Sequence, residues 1–217
     1  MHFGDYRVEI VPDTEFRLDG GAMFGVVPRT LWSGVCPPDD QNRIRMNMNC
    51  VFIDTGAERI LIETGIGEKW SARHAGMYGI TRQRPLAETL SSIAGVEPND
   101  ITIVVNTHLH FDHAGGNTKL NSEGQAAPAF PNARYFVSEA EFEHAETPSE
   151  RDRASYLPDN WRPMVETGQL ELKAAEYQVA PGLRMETYPG HNHSMQCWRL
   201  ERDGQTLFGF ADLVPMR

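Results

Sequence analysis

The residues Thr107-His108-Leu109-His110-Phe111-Asp112-His113-Ala114-Gly115-Gly116 decide how this chain reads. They follow the apolar run ITIVV (101–105), with Asn106 alone between. Such a run after the turn-forming Asn99-Asp100 predicts a strand buried on both faces. The polar residues therefore emerge where a strand leaves the core. Four side chains able to ligate metal fall within positions 108–113. His108 and His110, two apart in an extended segment, point the same way and can share one ion. Asp112 and His113 stand where the chain must turn and can face a second ion, in the roughly 3.5–4 Å pairing usual for two-metal hydrolysis. Gly115-Gly116 allow close backbone approach or a positive φ. A lone loop histidine is ordinarily a solvated side chain. Three histidines and an aspartate in this register, out of eight His in all, point to metal.

Two later segments supply further donors. Tyr188-Pro189-Gly190-His191 places a histidine at the end of the strand-like stretch LRMET (183–187), and Phe208-Gly209-Phe210-Ala211-Asp212 ends an apolar run on a carboxylate suited to bridging two ions. Around these, the alternation at 6–11 and the extended piece 15–18, interrupted by Gly20-Gly21, predict strands. So do 47–54 and 59–63, joined by Thr55-Gly56-Ala57-Glu58 as a hairpin. Leu86, Leu90 and Ile93 predict a helix over 85–94 that stops at Gly95. A short strand at 134–137 leads into a helix whose start reads as a capping box, Ser138 with Glu141. Strands return at 169–174, 183–188, 195–201 and 205–210. The order is that of a layered α/β protein. Residues 65–84 form a long irregular stretch of the kind that is usually functional or mobile.

The composition narrows the function classes. Of 217 residues, 20 are Lys or Arg and 30 are Asp or Glu, a net charge of −10. So acidic a chain repels phosphate backbones and anionic membrane surfaces. No apolar run approaches the length of a membrane span, and the N-terminus has no signal-peptide pattern. Cys36, Cys50 and Cys197 lack disulfide or metal spacing and suit a reducing compartment. The expectation is a single cytoplasmic domain over 1–217, with no nucleic-acid or membrane partner.

THLHFDHAGG (107–116) resembles the signature of the metallo-β-lactamase superfamily, and PGH (189–191) and the strand ending in Asp212 fall in that family's order. The resemblance runs through nearly the whole chain. FRLDGGAMFGVVP (16–28) and ILIETGIG (60–67) are similar to a subgroup of quorum-quenching lactonases and organophosphate-hydrolysing relatives. The resemblance implies an αββα sandwich with the site at one edge. It implies His108, His110 and His191 on a first metal, Asp112 and His113 on a second, and Asp212 between them. The ions implied are zinc, one or two, with manganese or iron as alternatives. The activity it implies is hydrolysis of a lactone or small ester carbonyl, for which the metal would supply a hydroxide, with Asp112 to orient that nucleophile or relay a proton to the leaving alkoxide and Asp212 to fix the metal separation. Trp70, Met77 and Tyr78 in the 65–84 segment, with Phe24 and Trp32, are the expected substrate wall. A homodimer is allowed.

The chain departs from the family at one point. The family places another His on the second metal, beyond the bridging Asp, whereas here no His follows His193 and the last residue is Arg217. The expectation is therefore a domain without the usual C-terminal helix and strand, near-stoichiometric metal at the first site and partial occupancy at the second. Alternative readings are a thioesterase of the glyoxalase II type, a single-iron redox relative, and a non-catalytic truncated metal-binding remnant. Nuclease relatives are disfavoured by the charge, and antibiotic lactamases by the lack of an export signal.

Overall fold

Hydrophobic alternation sorts the strands into two packed sheets. In the computed structural model, which describes residues 1–215, β1 (His2–Phe3) and β2 (Tyr6–Asp19) precede two short helices, α1 (Gly20–Phe24) and α2 (Arg29–Trp32). Next come β3 (Arg43–Asp54), β4 (Arg59–Ile62), α3 (Ala72–Met77), α4 (Leu86–Ala94), β5 (Ile103–Val105) and the single-turn α5 (Phe111–Ala114). A ribbon of β6 (Thr118–Leu120) and β7 (Ala126–Pro128) leads to β8 (Arg134–Ser138), α6 (Glu139–Glu146) and α7 (Arg162–Glu166). The strands β9 (Leu170–Lys173), β10 (Glu176–Ala180), β11 (Leu183–Thr187), β12 (Gln196–Arg202) and β13 (Gln205–Gly209) follow.

The larger sheet has seven strands in the order β1-β2-β3-β4-β5-β8-β9 and the smaller has four, β10-β11-β12-β13. The long β2 and β3 pair antiparallel, as do β3 and β4, whereas β4, β5, β8 and β9 run parallel. Parallel neighbours require crossovers, and α4 and the α6–α7 pair provide two of them. Ile60, Ile62, Ile103 and Val105 face the smaller sheet and pack with Leu183, Met185, Trp198 and Leu200. Their neighbours Leu61 and Val104 point the other way, into the layer of Leu86 and Leu90 from α4 and Met164 from α7. This double burial is why ITIVV is apolar throughout. Among the described residues the layers run helices, larger sheet, smaller sheet: the α/β class and the two packed sheets are as expected, with one of the two helical layers of the αββα arrangement. On the smaller sheet's outer face Arg199 Nε donates to Glu186 Oε1 at 3.0 Å.

Some local expectations change. β2 is one strand carrying a bulge between Pro12 and Glu15 rather than two pieces. It ends because Asp19 turns to cap α1, its carboxylate accepting from Ala22 N at 2.9 Å. The 65–84 stretch holds α3, capped by Ser71, and is pinned by the ion pair of buried Asp13 with Arg82. The strand in ITIVV is confined to its last three residues, since a 3-10 turn over Pro98–Asp100 delivers the chain to it. The capping box at Ser138 is half formed: its hydroxyl accepts from Glu141 N at 3.2 Å, but the Glu141 carboxylate turns inward.

Candidate metal centre

Parallel α/β sheets gather ligands at the carboxyl ends of their strands, and the candidate residues meet there. β4 delivers Glu63, β5 delivers 106–113, β11 leads to His191, and β13 leads to Asp212. His108 is fully buried, and His110, Asp112 and His113 are buried as well. The extended geometry expected across the motif holds as far as His110, which stands at the N-terminus of α5; Asp112 and His113 lie on that helical turn. Two non-glycine residues of positive φ flank the site, Glu63 at 65° and Ala211 at 43°. Backbone of this kind persists only where its surroundings impose it.

The donors form two adjacent groups, joined by a third. His108, His110 and His191 present ligand atoms within 4.8 Å of one another, and so do Asp112, His113 and Asp212. His191 Nε2 lies 2.9 Å from His110 Nδ1. Asp212 stands between the groups, one carboxylate oxygen 3.2 Å from His113 Nε2 and the other 3.5 Å from His191 Nε2. Thr107 Oγ1 meets His108 Nδ1 at 3.0 Å, leaving His108 Nε2 buried with no hydrogen-bond partner. An unpaired buried nitrogen is costly, and a cation among such donors satisfies it. The residues fit a divalent ion. Asn106 holds backbone: its Nδ2 donates to His113 O at 3.4 Å.

Burial, reinforced by neighbouring imidazoles, pushes His108 down and His110 down to about 3, and burial also lowers His191. These rings are neutral at pH 7, the state that ligates metal. Burial pulls His113 the same way, but the carboxylates of Asp212, Asp112 and Glu63 outweigh it and raise it. Burial raises Asp112 to about 6. Asp212 is half-buried, which pushes it up, yet His113 outweighs this and holds it down at about 2.

Glu63 carried no role in the sequence reading. Its Oε1 accepts from Thr107 N at 2.8 Å and its Oε2 faces His113 Nδ1 at 3.5 Å. It also belongs to a third donor group with His108 and His113. The only signal was its place in ILIETGIG, one residue past a strand end.

The centre opens into a cleft of about 620 Å³ whose walls include Leu18, Met23, Met46, Met48, Tyr78 and Phe111, with Arg151 and Asp152 also lining it. Of the five residues expected on the substrate wall, Tyr78 lines this cleft. Trp70 packs edge-on against Tyr78 and Phe111 behind it and donates its indole N–H to Ile66 O at 2.8 Å. Met77 is half exposed and does not line the cleft, because Tyr78 takes the inward position at the end of α3. Phe24 and Trp32 stack at 4.7 Å and line a separate apolar cavity of about 500 Å³ with Leu213, Val214 and Pro215. His193 packs its ring 6.3 Å from that of His144 and is in none of the donor groups among the described residues. His144 Nε2 in turn lies 2.7 Å from Asp152 Oδ2.

Fold and donor set together define an α/β sandwich with a candidate binuclear metal centre at one edge. Residues 44–215 match the family model of the metallo-beta-lactamase superfamily, and the chain belongs to that superfamily. It is 27% identical over 165 residues to an N-acyl homoserine lactonase of a Bacillus species, covering 71% of this chain and 58% of the lactonase's length. Among solved structures, a probable metal-dependent hydrolase from Staphylococcus aureus superposes with a TM-score of 0.86 at 29% identity, over 96% of this chain and 73% of that one. The dizinc quorum-quenching lactonase AidC superposes with a TM-score of 0.75 at 20% identity, over 99% of this chain and 74% of that one. The chain thus spans under two thirds of the length of the Bacillus lactonase.

Proposed function

We propose that this chain is a metal-dependent hydrolase of lactones or small esters, with His108, His110 and His191 holding one divalent ion, Asp112 and His113 a second, and Asp212 shared. The reading rests above all on Asp212, whose two oxygens face a histidine of each group. The likeness to N-acyl homoserine lactonases supports the lactone class. Zinc is the ion we favour, since imidazole and carboxylate donors suit it. Such ions polarise a carbonyl and bring the pKa of bound water to about 7.

The chain's own groups do the rest. The methionine and aromatic wall takes the apolar part of the substrate and excludes water from the donors. Asp112, at the floor of the cleft, can accept and pass on a proton at its carboxylate. Thr107 orients the ring of His108 through its Nδ1, as outer partners of metal-bound imidazoles do, and the Glu63 carboxylate faces the His113 ring at 3.5 Å. The free thiols Cys36, Cys50 and Cys197 support a reducing, cytoplasmic setting.

Purified protein loaded with zinc is expected to open N-acyl homoserine lactones faster than it cleaves S-lactoylglutathione, measured as kcat/KM. Faster thioester cleavage would move the assignment to the glyoxalase type. A chain that binds metal but turns over neither substrate supports the non-catalytic reading.

The second ion is expected to leave first on acidification. The raised pKa of His113 lets protons compete there at a higher pH than at His108 and His110, which are lowered. Dialysis at successively lower pH from 7.5, followed by elemental analysis, should show the content fall through a plateau near one ion per chain. Simultaneous loss of both ions contradicts this order.

A further inference from the structure

Beside the donors lies a second buried carboxylate that the reading above leaves unused. Glu141 on α6 is fully buried. Its Oε1 accepts from Leu109 N at 2.8 Å and from Tyr156 Oη at 3.1 Å, and its Oε2 accepts from Asn192 Nδ2 at 2.9 Å and from Ser194 Oγ. Leu109 separates His108 from His110, and Asn192 follows His191. Asn192 Nδ2 also reaches Tyr156 Oη at 3.1 Å, and Tyr156 packs edge-on against the His110 ring at 4.8 Å. A single carboxylate therefore holds both chain segments that carry the three-histidine group, although these lie some eighty residues apart in sequence.

We propose that Glu141 is a positioning residue that fixes the 108–110 and 191–194 segments relative to each other, and so sets the geometry and affinity of the first metal site. The chemistry favours a carboxylate at this position. Burying one is costly unless its oxygens are fully hydrogen-bonded, and all four donors here come from backbone or neutral side chains. Glutamine is nearly isosteric but accepts at one oxygen only. With that oxygen kept on Leu109 N, its amide N–H groups face Asn192 and Ser194. Ser194 can rotate its hydroxyl, whereas Asn192 must flip or withdraw, which frees the chain beside His191. Sequence patterning hid this role, because Ser138 and Glu141 have capping-box spacing while the carboxylate faces the site.

The proposal rests on the metal reading and is tested apart from turnover. Cobalt(II) is titrated into metal-free protein against a chromophoric chelator, and the visible ligand-field spectrum of the first equivalent is recorded. Glu141→Gln is expected to weaken the first ion by about 10–100-fold, the range for loss of an outer-shell partner, and to alter that spectrum. Leu90→Ala, a core truncation on α4 remote from the donors, is the stability control: it should lower the melting temperature while leaving affinity and spectrum unchanged. Should Glu141→Gln not fold, Ser194→Ala, which removes one of the four donors, is expected to weaken the first ion several-fold. First-ion affinity and spectrum like those of the unmodified protein in whichever variant folds, or an affinity loss no greater than that of Leu90→Ala, overturn the proposal and leave the metal reading standing. An unmodified chain that takes up no cobalt overturns both.

Discussion

His108→Ala is expected to lose the first ion and to lower kcat/KM for lactone opening by more than the 10–100-fold that removing an outer-shell partner costs. The side chain is fully buried, its Nδ1 is held by Thr107, and its Nε2 has no protein partner. Alanine removes a donor that no neighbour can replace, while the other imidazoles of the group keep their places. Thr107→Val gives an internal scale: it frees the ring without deleting it, so its loss should fall within that 10–100-fold range. Metal content and kcat/KM measured together on both variants check the order. A His108→Ala protein that keeps its metal and most of its activity removes the three-histidine group from the mechanism.

Gly67→Ala is expected to carry the largest stability cost, roughly 3 kcal/mol or more, lowering the melting temperature of the metal-free chain by about 6–12 °C. Two effects add. Gly67 has φ 69°, a left-handed conformation that costs about 1–2 kcal/mol with a Cβ. A Cβ there also falls inside the envelope of the Gly115 carbonyl, and backbone cannot step aside as a side chain can. Gly95 provides the comparison: at φ 70° it has open space around it, so Gly95→Ala should cost only about 1–2 kcal/mol. Differential scanning calorimetry of the two variants separates strain from collision. Equal shifts remove the collision as a cause. The crossing matters for the centre too, because Gly115 follows directly on α5, which carries Asp112 and His113.

The elements that could be read from the chain alone were those whose signal is local. ITIVV announced a strand buried on both sides, since its alternate residues face different layers. The helix over Leu86–Ala94 and the hairpin around Gly56 were legible for the same reason. The short helices α1, α2 and α7, the ribbon of β6 and β7, and β10 were not, because their stability comes from what they pack against. Trp32 is buried beneath Phe24 through tertiary packing, and no spacing in the sequence encodes that. The substrate wall was the least legible part. Adjacent residues such as Met77 and Tyr78 differ only in which way a helix end turns, and that was fixed by the Trp70–Tyr78–Phe111 packing.

The chemistry of the centre was written in the order of residues. Histidine and aspartate spaced within one strand-to-helix turn can present donors to a common point through local backbone geometry alone, so the chain itself determined that these donors would gather. What the fold alone decided was the company those donors keep. His191 and Asp212 could be named from the order of motifs, but they lie tens of residues away, as do Glu63 and Glu141, whose roles no motif carried; all four come within reach only because parallel strands and a second sheet end at the same edge. Contacts that close such long loops are set by how whole layers pack.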